Sequence, residues 1–220
     1  MTPSPILLAL RRNLLPGLGL WTVAIGLAAC YFLIPAARPA FMRVQACRQK
    51  WGVAFSAVVA LSCGGVLPVL VQQALGRIPA GAFRRHLLFA AVFWAWKGVE
   101  VDLFYRLQGW VFGNNPAPVT IALKVAADQF LYNPAWASWN QIVAYRWRDG
   151  GCTLRALSAA FRDPRDLFLC AVPRVLAATW LIWIPAVAAI YAMPPDLQIP
   201  LFNVVLCYWV LVLSFLTPRT

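Results

Sequence analysis

Hydrophobic residues lie in long runs without period-2 alternation, and polar positions are confined mostly to short segments between them. From Val175 to Pro218 the sole charged residue is Asp196, beside Pro194 and Pro195. On either side of that turn, residues 175–193 and 197–216 approach the ~20 apolar residues a membrane-crossing helix needs. Four further runs occupy residues 15–34, 52–75, 87–105 and 119–145. In lipid the backbone must satisfy its own hydrogen bonds, and unbroken apolar runs do so as helices. The pattern predicts an all-α, polytopic helical membrane protein with about six apolar helices, four to six of them spanning. Pro134 is expected to kink or end the fourth.

The connections at 35–39, 76–81 and 113–118 are short and rich in Pro and Gly. Leu154, Leu157, Ser158 and Phe161 recur at i, i+3, i+4 and i+7, with Arg155 and Arg162 to one side, which predicts a short interfacial helix. The longest polar stretch, 146–166, is too short to bury a core of its own, so residues 1–220 read as one membrane domain. At the start, Arg11 and Arg12 precede an apolar run containing Leu27-Ala28-Ala29-Cys30, the outline of a lipoprotein signal. The run continues to Ile34, however, so residues 1–45 are expected to hold a retained extra helix.

Composition sharpens this picture. With 62% hydrophobic and 12% charged residues, the chain lies outside soluble usage. The net charge of +12 comes from arginines at the ends of apolar runs, where they anchor headgroups, and no nucleic-acid motif accompanies them. On six spans, Arg11, Arg12, Arg77, Arg84, Arg85, Arg146, Arg148, Arg155, Arg162, Arg165 and Arg219 fall on one side. Arg38, Arg43, Arg48, Lys50 and Arg106 fall on the other, which predicts both termini on the cytoplasmic side of a bacterial inner membrane or an organellar membrane. Six scattered cysteines and the single His86 form no metal-ligand spacing, and nothing calls for a cofactor.

Candidate chemistry lies in the charges that interrupt the third and fourth runs. Lys97 falls near the membrane midplane and Glu100 on the same helical face, whereas Asp102 and Arg106 share another face nearer the far interface. On the next, antiparallel segment Lys124 and Asp128 are one turn apart, followed by Gln129 and Asn133. Matched depths predict cross-helix pairs such as Lys97 with Asp128. Such charges either line a polar path between the two helices or hold them in register. Trp94, Trp96, Trp110, Trp136, Trp139, Tyr145 and Trp147 near segment ends read as an aromatic belt.

One series of residues goes further. Gly98, Asp102, Phe104, Tyr105 and Gly113 are followed by Lys124-Val-Ala-Ala-Asp128-Gln129 with Pro134, and then by Trp183, Pro194, Trp209 and Ser214. In this order the chain resembles the Mpv/PMP family of peroxisomal and mitochondrial inner-membrane proteins over residues 51–216, as a distant member. Its departures fall on polar positions: Asp102 stands where the family has a histidine. The resemblance implies a small multi-helix protein that forms or modulates a pore for small solutes.

The sequence therefore reads as a channel-like or weakly selective small-solute conduit, with membrane lipids and small solutes as partners and self-association open. A structural membrane protein with charge-locked helices is the alternative. An intramembrane enzyme has no Ser/His, Cys/His or metal arrangement to rest on; Glu100 with Asp102 or Asp128 is its only candidate set.

Overall fold

The computed structural model describes residues 5–216, with side chains described at 11, 14, 18, 19 and 21–210. Every regular element among them is helical. In order these are α1 (Pro5–Leu33), α2 (Arg38–Trp51), α3 (Val53–Ala60), α4 (Leu67–Ala74), α5 (Phe83–Phe112), α6 (Pro118–Ala126), α7 (Ser138–Asp149), α8 (Leu154–Ala160), α9 (Val172–Tyr191) and α10 (Pro195–Leu216). Three π-helical stretches, Leu61–Val66, Ala127–Ala137 and Asp166–Ala171, join α3 to α4, α6 to α7 and lead into α9.

Among the described residues two helices, Val53–Ala74 and Asp166–Tyr191, are long and apolar enough to cross a membrane. A third crossing arises if the pair Trp21–Leu33 and Pro35–Trp51, bent by 101°, counts as one. That is fewer than run length alone suggests. α5 has the length, but Lys97, Glu100, Asp102 and Arg106 interrupt it; Lys124, Asp128, Gln129 and Asn133 do the same to residues 118–149.

The bend after α1 was not legible as a helix–helix corner. Pro35 pushes Ile34 into extended backbone (φ −113°, ψ 95°) and ends the helix. Arg38 then donates from Nε and a terminal guanidinium nitrogen to the Tyr31 and Phe32 carbonyls, both at 3.2 Å, which the helix end leaves without N–H partners. Residues 38–51, expected to be a positively charged loop, form α2 instead. It stops at Gly52, whose φ of +54° a side chain would strain. The expected interfacial helix is α8: Thr153 caps it by accepting from the Ala156 N–H at 3.1 Å, and Leu154 and Phe161 remain exposed.

α5 is the axis of the fold. Ser56, Ala60 and Gly64, four residues apart, form a ridge of small side chains against Asp102, Gly98 and Trp94 of the antiparallel α5. A Cβ on Gly98 would collide with the Ser56 carbonyl, and one on Gly64 would lie 2.7 Å from the Trp94 ring. The opposite face of α5 turns Leu88, Val92, Trp96, Leu103 and Leu107 outward. α9 and α10, joined by the tight turn at Pro194, pack against α1 and supply most of the buried apolar core, including Ile182, Ala186, Leu197 and Val205.

Candidate functional site

The residues singled out from the sequence separate into two centres. At one end of the bundle Asp102, with 0% of its surface exposed, accepts three hydrogen bonds: from Arg48 at 2.6 Å, Ser56 Oγ at 2.5 Å and Arg106 Nε at 2.9 Å. Two cations and a hydroxyl thus compensate one carboxylate and tie α2, α3 and α5 together. Above it opens a cup of about 600 Å³ lined by Arg48, Gln49, Arg106, Asn114, Asp196 and Gln198 among others. Asp196 accepts there from Gln45 Nε2 at 3.1 Å and Gln49 Nε2 at 2.8 Å.

The second centre lies deeper. A cavity of about 360 Å³ is lined mainly by α5, the π-helical stretch Ala127–Ala137, α7, α9 and α10. Lys97, Gly98, Tyr105, Asp128, Gln129, Asn133, Trp183 and Trp209 all line it. The expected Lys97 to Asp128 pair is not formed. Lys97 Nζ instead donates to Glu100 Oε1 at 2.8 Å on its own helix, one turn on, and Tyr132 donates to the same oxygen. Asp128 accepts from Tyr191 at 2.7 Å, Gln129 Nε2 at 3.2 Å and Asn133 Nδ2 at 3.3 Å. Lys124, expected level with Asp102, donates to Asn114 Oδ1 at 3.3 Å, with its ammonium 5.9 Å from the centre of the Tyr191 ring.

A single proline explains why these groups face inward together. In the i→i+5 register of the π-helix, marked by the Ser138 N–H bonded to the Asn133 carbonyl, the group that should donate to the Gln129 carbonyl is the N–H that Pro134 lacks. The Trp180 indole takes its place at 2.7 Å from α9. The widened turn sets Asp128, Gln129, Tyr132 and Asn133 around the cavity. Replacing Trp180 with Phe is expected to cost about 1–2 kcal/mol by leaving that carbonyl without a donor. In a Pro134→Ala background, where the backbone N–H returns, the same change is expected to cost much less. Chemical unfolding of the detergent-solubilised single and double variants measures the difference.

Tyr105 lines both the cavity and the cup, and its ring lies 5.0 Å from that of Tyr191, centre to centre. Sequence reasoning missed Arg48, which it counted as a loop charge, as well as Tyr132, Trp180 and Tyr191. It also missed the Ser56, Ala60, Gly64 ridge, although its four-residue spacing is a readable signal. Of the residues carrying the family resemblance, Gly98, Tyr105, Trp183 and Trp209 line the cavity, Pro134 shapes it and Pro194 forms the α9 to α10 turn. The side chain of Ser214 lies outside those described. Among the described residues no three His, Cys, Asp or Glu side chains converge as metal ligands would. Comparison with protein-family models, curated proteins and solved structures finds no match to this chain.

Proposed function

We propose that the chain is an integral membrane protein enclosing a closed, weakly selective conduit for small polar solutes. The observation that carries this reading is a pair of spaces, each with charged and amide side chains in its wall, that meet at one side chain: the inner cavity and the outer cup share Tyr105. Tyr105 is the barrier, braced by Tyr191, whose hydroxyl is held by Asp128. α5 supports the reading further, because it turns apolar side chains outward and Lys97, Asp102 and Gln108 inward, as a helix with lipid on one side and a polar path on the other must.

On this reading α5, residues 118–149 and α10 cross the membrane beside the two apolar helices. With the bent pair of α1 and α2 as the sixth crossing, both termini lie on the cytoplasmic side. The Mpv/PMP resemblance points to the same class of pore, and we propose a distant relationship to it. Wall groups of both signs, Lys97 and Asp128 in the cavity and Arg48, Arg106 and Asp196 in the cup, argue against a filter for ions of one sign.

Liposomes loaded with a small neutral solute test the proposal. Tyr105→Ala is expected to raise efflux at least about tenfold over the unaltered protein, since removing the barrier joins the two spaces; about 1.4 kcal/mol off a barrier suffices. Tight bilayers with both folded proteins would sink the conduit. The reading that would then stand is a structural membrane protein, which the charge-compensated Asp102 centre favours.

A further inference from the structure

The carboxylates of this bundle are not equivalent. Asp102 is compensated by two arginines and Glu100 by Lys97. Asp128, almost completely buried, takes hydrogen bonds from a phenol and two amides, and among the described residues no Lys or Arg comes within salt-bridge distance of it. A buried anion held by neutral donors alone keeps most of its charge available to a cation entering the space beside it.

The residue next to it carries a second, independent signal. Gln129, 1% exposed, lines the cavity, and its Oε1 receives no hydrogen bond from the protein. The amide cannot turn over to relieve this, because its Nε2 is the group that donates to Asp128, and a flip would aim the oxygen at the carboxylate. An unfilled acceptor beside an uncompensated carboxylate calls for a positively charged N–H donor. The remaining walls supply its body: the aromatic side chains of Trp94, Phe104, Trp183 and Trp209 face the same cavity. Such faces suit an apolar or aromatic group carrying a cation. At ~30 Å³ per water-sized group, a space of about 360 Å³ holds roughly a dozen non-hydrogen atoms. Lys97 also lines the cavity, but its ammonium is engaged by Glu100; Lys124 does not line it and is turned to Asn114 and the Tyr191 ring.

We infer that this cavity is a binding site for small organic primary ammonium compounds, with the ammonium hydrogen-bonded by Asp128 and Gln129 Oε1 and an apolar or aromatic body against the tryptophans. The inference rests on the conduit reading only for its role in transport; binding itself requires no flux.

Detergent-purified, full-length protein is titrated with phenethylammonium, followed by calorimetry. Three compounds of similar body serve as controls: 2-phenylethanol, 3-phenylpropionate and phenethyltrimethylammonium. Saturable binding of the primary ammonium, with the alcohol, the carboxylate and the quaternary ammonium each at least about tenfold weaker, is the expected result. Gln129→Met and Asp128→Asn are each expected to weaken amine binding by about tenfold or more while leaving the alcohol unaffected. Equal binding of alcohol and amine, tighter binding of the quaternary compound, or no binding to folded protein would overturn the site. The ligand series on the unaltered protein decides the matter if Asp128→Asn fails to fold. Amine binding together with tight liposomes keeps this site and removes the conduit; solute efflux without amine binding does the reverse.

Discussion

Asp102→Ala is expected to destabilise the bundle by about 3–5 kcal/mol, enough to abolish recovery of monodisperse protein in mild detergent. The carboxylate is fully buried, and its removal strands Arg48, itself only 9% exposed, with no other carboxylate among the described residues within 4 Å. Arg106 is half exposed and can turn to water, so it contributes much less to the loss. Arg48→Met separates the two terms. It removes the buried cation while Arg106 and Ser56 still hold Asp102, and it is expected to cost clearly less than Asp102→Ala. Equal unfolding midpoints for Asp102→Ala and the unaltered protein would rule out a stabilising role for this centre.

Gly98→Leu is expected to force α3 and α5 apart, at about 3 kcal/mol or more. The position has no room for even one carbon: a Cβ there meets the Ser56 carbonyl and lies 2.7 Å from the Ala60 Cβ. Backbone cannot swing aside as a side chain can, so the helices must separate. Ser56 then leaves Asp102, and the effect spreads to the first centre. Gly98→Ala is expected to retain part of the packing. Thermal unfolding followed by tryptophan fluorescence ranks the three proteins, and an unchanged midpoint for the leucine variant would refute the close approach.

Helix existence was legible because long apolar runs leave the backbone one way to satisfy itself in lipid, and the runs at 52–75 and 175–193 lie largely within Val53–Ala74 and Asp166–Tyr191. The corner at Pro35 was not, since α2 is too polar to register as an apolar run and owes its place to Arg48 and Asp102, partners far apart in the chain. Depth along two antiparallel helices puts Lys97 level with Asp128, and both line one cavity. It could not tell that a partner three residues away, Glu100, would claim Lys97 first; a pair within one helix needs no tertiary alignment. The sequence reads Pro134 as a kink or an end of the helix, whereas the chain absorbs it by widening into an 11-residue π-helix, made tolerable by a donor from α9 that no local pattern announces.

The spacing of the three groups around Asp102 also orders events on the ribosome. Arg48 is synthesised 54 residues before its carboxylate, which at roughly 5–20 residues per second leaves it about 3–10 s without its anion. Asp102 never waits so long, because Arg106 emerges one helical turn later and neutralises it within its own helix. α5 can therefore form with that carboxylate already paired, and the capture of Arg48 becomes the step that closes α2 onto α3 and α5.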